Sequence, residues 1–209
     1  MQLDTPLAAS NAADLVVPRL LLSTRAWGMI RAYVAAADKS EVSGFAYVQQ
    51  LDNDPSTFYV GASDDVFVVP QEVTIGSAEV SGNTFALALD KAMLAGRDDD
   101  LRIQWHSHPN DSYFSPTDLR NIEAFGAAGM EWFISFVTNR RNEVHARFDV
   151  FRPFRIGAEM DVIAYDFVPD DMVTRAQEDV ANMVTILTPK KTAWPGAQQR
   201  PGLVVTHGK

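Results

Sequence analysis

The chain has 209 residues, 46% of them hydrophobic and 22% charged, with a formal net charge of −9 and no cysteine. This is the profile of one globular domain with a core of its own. It excludes disulfides, thiolate nucleophiles and the Cys-ligated zinc of nucleobase deaminases, argues against nucleic-acid binding, which needs clustered Lys and Arg, and contains no apolar run of membrane-spanning length.

Residues 1–14 are small and polar and predict a loose N-terminus. Met1-Gln2-Leu3-Asp4 has no positively charged start, so no secretory signal is expected and a cytoplasmic location is. Ser23 or Thr24 can cap a helix to about Asp38, with Trp27, Ile30 and Val34 on one face. Glu41–Val48 predicts a strand with Glu41 at its N-terminal edge. Asp52–Ser56 is turn chemistry, Thr57–Val60 and Val66–Val69 are strand candidates, and Gln71–Ser81 fits a strand followed by a loop. Gly82–Ala95 predicts a helix with Phe85, Ala88, Leu89, Ala92 and Met93 on one face, then a solvated turn at Asp98-Asp99-Asp100.

Leu101–Trp105 is a short apolar run that reads as a buried strand. Ser115-Pro116 starts the next helix, which runs to about Ala127 and ends at Gly129. Glu131–Val137 is apolar on both faces, as a central covered strand is. A hairpin turn over Asn139–Asn142 leads into Glu143–Phe151, where Val144, Ala146, Phe148 and Val150 share a face. Met160–Phe167 predicts a further strand, and Asp171–Leu187 a last helix. No repeat or linker divides residues 15–187, so one domain is expected there, followed by a Pro-containing tail over 188–209. The tail holds four bases and no acid, so residues 1–187 carry all 27 acids against 14 bases, a net of −13. Such a body favours partners with a basic face.

The chemistry concentrates in Trp105-His106-Ser107-His108-Pro109 and Ser115-Pro116-Thr117-Asp118. Side chains two apart on a strand point the same way, so His106 and His108 share a face at the strand's end and Ser107 points away. Asp118 falls on the first turn of the following helix. Alone, Asp118 suits the helix dipole and Ser115 suits a cap. Beside two imidazoles, the carboxylate completes the donor set of a zinc site with one open position. His145 and His207, on a polar strand face and in the tail, read as surface residues. Tyr113 and Phe114 lie between the ligands, where they shape the loop or line a substrate groove.

These motifs, with Glu41 in Glu41-Val42-Ser43-Gly44-Phe45, resemble the JAMM, or MPN-plus, zinc metalloprotease family over roughly residues 20–155. That family's signature is an upstream Glu, then His-Ser/Thr-His-Pro, then Ser-x-x-Asp. The likeness is to its stand-alone prokaryotic members, which are related to deubiquitinating enzymes. The stretch between His108 and Ser115 is one residue shorter here than is usual in the family. The resemblance implies an α/β fold: a single JAMM-type domain whose mixed sheet is flanked by helices in cytidine-deaminase-like layers. It implies one Zn2+ held by His106, His108 and Asp118, with Glu41 as the proton-transferring base and Ser115 as an oxyanion donor. It also implies hydrolysis of a peptide or isopeptide bond at the C-terminus of a ubiquitin-like protein, with that protein or its conjugates as partner. Two rival readings share the same residues: a scaffold without catalysis, and a peptidase acting on a phage-tail, cell-wall or small carrier-protein substrate.

Overall fold

The computed structural model describes residues 16–74, 77–78, 82–164 and 170–187. The expected loose N-terminus, the basic tail with His207, and part of the ambiguous Gln71–Ser81 stretch lie outside them. Helix α1 (Thr24–Ala36) starts at Ser23, whose hydroxyl accepts the Ala26 N–H at 3.0 Å, the N-cap expected from sequence.

Nine strands make one mixed sheet. In chain order they are β1 (Arg19–Leu22), β2 (Ser43–Tyr47), β3 (Gln49–Leu51), β4 (Asp54–Val60), β5 (Val66–Phe67), β8 (Leu101–His108), β9 (Trp132–Asn139), β10 (Val144–Val150) and β11 (Ile156–Ala164). Their spatial order is β3-β4-β1-β11-β10-β9-β8-β2-β5. β6 (Gln71–Thr74), β7 (Ser77–Ala78) and β12 (Val184–Ile186) form a small second sheet. The remaining helices are α2 (Gly82–Leu94), α3 (Pro116–Ala127) and α4 (Asp170–Met183). Among the described residues no helix is long and apolar enough to cross a membrane.

Helices lie on both sides of the large sheet, and each pair closes a core. On one side α1 and α4 pack Trp27, Ile30, Met172 and Ala176 against Ile103, Trp105, Ile134 and Phe136. On the other, α2 and α3 pack Ala88, Ala92 and Phe125 against Phe45, Phe67 and Phe133. β9 faces both cores, because its alternate side chains Ile134 and Phe133 enter different ones, as its two apolar faces predict.

Several elements differ from the sequence reading: β2 starts at Ser43, not Glu41, β3 is an additional strand, β4 begins at Asp54 inside the expected turn, and β5 ends at Phe67. The last helix ends at Met183, not Leu187, and Val184-Thr185-Ile186 becomes β12, paired in parallel with β6. Three β-branched residues in a row favour an extended backbone once a partner strand is available. The strand expected from Met160 begins at Ile156, where β11 pairs with the end of β10, and its described part stops at Ala164. β1 has no counterpart in the sequence reading. It is four residues long and lies between β4 and β11, so it is defined by its neighbours and not by any periodicity of its own.

β2 and β8 pair antiparallel, with Ser43 opposite His106 and Gly44 opposite Trp105. The indole of Trp105 is fully buried, stacks on Tyr33 with ring centroids 5.7 Å apart, and donates Nε1–H to the Phe45 carbonyl at 3.3 Å. It can lie there only because Gly44 has no side chain. A Cβ at that position would stand 2.3 Å from the Phe67 carbonyl oxygen and 2.5 Å from the indole. Backbone on one side and a buried ring on the other leave no cheap relaxation. Gly44→Ala is therefore expected to destabilise the fold by about 1–3 kcal/mol or more, as overpacking does. Chemical denaturation checks it, and an unchanged midpoint would refute it.

Candidate metal centre

β8 continues past Trp105 through His108, so both histidines stand within the strand and on one face. The face is that of the α2/α3 core, because Ser43, opposite His106, and Phe45 are on the same side of β2. α3 supplies the carboxylate. Ser115 accepts the Asp118 N–H at 3.2 Å, and Asp118 Oδ2 accepts the Ser115 N–H at 2.6 Å, which together make a reciprocal capping box. The Ser-x-x-Asp spacing thus caps the helix and also fixes the Asp118 rotamer.

The three side chains converge. His106 Nε2 and His108 Nε2 are 3.0 Å apart, His106 Nε2 is 3.4 Å from Asp118 Oδ1, and His108 Nε2 is 3.4 Å from Asp118 Oδ2. Taking one donor atom from each residue, the three lie within 4.8 Å of one another. The 3.0–3.4 Å approaches are close to the roughly 3.3 Å ligand–ligand edge of a tetrahedral zinc with ligands at about 2.0–2.1 Å, although the two histidines face different oxygens of Asp118. The six residues between His108 and Ser115 are enough to let the three side chains converge. Two nitrogens and one oxygen form a group that could hold a divalent metal ion.

Electrostatics favour a cation at this point. Hydrogen bonding to Asp118 raises the His108 imidazole to about 9; burial opposes this, while Asp111 and the Glu41 charge add to it. Burial pushes Asp118 up, but the two imidazoles overrule it and hold the carboxyl well below the usual carboxylate range. The lone pairs gathered here therefore hold positive charge, as a proton or as a metal ion.

Glu41 is 7% exposed and precedes β2. The Ser107 N–H donates to the Val42 carbonyl at 2.8 Å, and the Val42 N–H donates to Ser107 Oγ at 3.0 Å. Ser107, which points away from the histidine face, thus ties down the Glu41 segment. The register of β2 and β8 ends with Ser43 opposite His106; continued through the Val42–Ser107 bonds, it brings Glu41 level with His108, just beyond the end of β2. This agrees with the Glu41 charge acting on His108.

Several supporting residues escape the sequence reading. Gln71 Oε1 accepts from both the N–H and the hydroxyl of Ser43 at 3.0 Å, and its Nε2 donates to the Ser43 carbonyl at 2.7 Å. One side-chain amide thereby replaces a neighbouring strand, since β5 pairs with β2 only at Phe45 and Ala46. Asn139, opposite His108 in the parallel β8–β9 pair, donates to the Asn110 carbonyl at 3.4 Å, and Arg141 donates to the same oxygen at 2.5 Å. Asp111 Oδ1 lies 3.0 Å from His108 Nδ1.

His145 is no isolated surface residue. The pairings His106–Val137 and Val137–His145 put it in the same cross-strand row as His106. Its ring centroid is 5.9 Å from Tyr113 and 5.5 Å from Phe114, and Phe114 lies 6.3 Å from His106. An aromatic shelf therefore borders the candidate site, with Tyr113 71% exposed. A pair of rings spaced in one loop was the only sequence signal for it; the third ring comes from a strand over thirty positions later.

No protein-family model matches the chain, and no curated protein matches it. Among solved structures the chain is similar to the solution structure of protein DSY2949 from Desulfitobacterium hafniense. The likeness has a TM-score of 0.47 and 13% sequence identity, and covers 73% of this chain and 97% of that one.

Proposed function

We propose that this protein is a zinc-dependent hydrolase of the JAMM type, which cleaves a peptide or isopeptide bond at the C-terminus of a ubiquitin-like protein. The observation that carries the reading is the convergence of His106, His108 and Asp118, with the buried Glu41 acting electrostatically on His108. A zinc ion bound by the three would supply a water of near-neutral pKa and an electrophile for the substrate carbonyl.

The chain's own residues supply the rest. Glu41 is buried and its charge acts on His108; its carboxylate takes a proton from the attacking water and delivers it to the leaving nitrogen. Ser115 Oγ spends a lone pair on the Asp118 N–H and keeps its own proton to donate to the developing oxyanion. Asp118 stays ionised across the working pH range and so remains a ligand. Tyr113 and Phe114, which border the site beside His145, would contact the chain flanking the scissile bond.

Metal analysis by mass spectrometry tests the first step. Wild-type protein is expected to carry about one zinc per chain, and Asp118→Ala prepared alike is expected to carry none. A metal-free wild type after zinc is added back would defeat the hydrolase reading. The second test is turnover on fusions of ubiquitin-like proteins carrying C-terminal extensions. Glu41→Gln should retain its zinc and lose roughly 10²–10⁴-fold in kcat, the usual range for a general acid–base group. Equal turnover in the two proteins would remove Glu41 from the chemistry. In Tyr113→Ala, zinc content should hold while KM rises.

A further inference from the structure

We infer that Asp111 is a positioning residue for the metal centre: its carboxylate holds the Nδ1–H tautomer of His108 and so aims the Nε2 lone pair at the ion. The inference rests on the metal-hydrolase reading above. It adds a residue outside the ligand set, from a part of the loop that the motif leaves unspecified.

The geometry carries it. Asp111 Oδ1 stands 3.0 Å from His108 Nδ1, while the same ring's Nε2 faces His106 and Asp118. A neutral imidazole has one N–H and one lone pair, and a hydrogen bond at one nitrogen decides which is which. A carboxylate accepts only, so the Nδ1 side must carry the proton and the Nε2 side must be the ligand. A carboxylate behind a ligating histidine also makes the other nitrogen more basic.

The carboxylate is not needed to hold the loop. The Asn110 carbonyl is independently fixed by Asn139 and Arg141, and the Tyr113 N–H reaches Asp111 Oδ1 only at 3.4 Å. Asp111 is also mostly exposed, with 60% of its side chain accessible, where an acid would ordinarily stay in water. The two histidines differ in this respect. His106 Nδ1 is buried and has no hydrogen-bond partner among the described residues. Removing the Asp111 carboxylate should therefore disturb one ligand and leave the other alone.

The experiment uses the full chain and zinc alone. Affinity is measured by competition with a chromogenic chelator for wild type, Asp111→Ala and Asp111→Asn. In parallel, nitrogen-edited NMR of the zinc-loaded proteins reports which ring nitrogen carries the proton in each histidine. Asp111→Ala is expected to bind zinc about 10–100-fold more weakly, the range for outer partners of metal ligands. Its His108 Nδ1 proton should exchange too fast to be seen, while the His106 signals stay where they were. Asp111→Asn keeps an acceptor oxygen without the charge and should fall between the two. It also serves as the folding control, because its unfolding midpoint should match wild type. Zinc affinity within twofold of wild type in Asp111→Ala, with an unchanged His108 spectrum, would overturn this inference and leave the metal reading standing. Failure of the wild type to bind zinc would overturn both.

Discussion

The pairing of β2 with β8 is the constraint on which the candidate site depends. It is an antiparallel ladder, so its register sets which residue of one strand faces which residue of the other. A slip of one residue would take Glu41 out of level with His108. Gly44 and Trp105 guard against that slip. The indole fits over the only residue of β2 that lacks a side chain, and a Cβ there would strike backbone at 2.3 Å. Ser107 adds a second lock by bonding to Val42 through both backbone and hydroxyl. A packing choice in the α1/α4 core thus decides the placement of the Glu41 carboxylate.

The site itself is arranged against electrostatic comfort. Two imidazole nitrogens at 3.0 Å and a half-buried carboxylate form a cluster that water would solvate better as separate groups. The fold maintains it with rigid parts. Both histidines are on a strand with neighbours on each side, and Asp118 is clamped in a capping box at the first turn of a helix. The upward shift of His108 and the downward shift of Asp118 have one cause, the pairing of imidazole and carboxylate across the cluster.

Around this centre the supporting groups come from distant parts of the chain. Gln71 completes the edge of β2, Asn139 and Arg141 hold the loop after His108, and His145 joins Tyr113 and Phe114 in the bordering shelf. All of them are polar or aromatic side chains on elements that the large sheet or the small one brings alongside. The loop between His108 and Ser115 is held at its ends by β8 and by the α3 cap, and in its middle by the β9–β10 turn.

Much of this was legible in the amino-acid order. The two-residue period put His106 and His108 on one face, and Ser115-Pro116 marked the helix start that carries Asp118. The two apolar faces of Glu131–Val137 marked the central strand. These are local properties, in which a few neighbouring residues contain all the information. Strand β1, the change from α4 to β12, the reach of Gln71 to Ser43, the bond from Asp111 to His108 and the alignment of Glu41 with His108 were decided by tertiary structure. Periodicity tells which face a side chain occupies, but only the pairing of remote strands tells what stands opposite it. Register is a property of two segments at once, and the packing of Trp105 over Gly44 chose it.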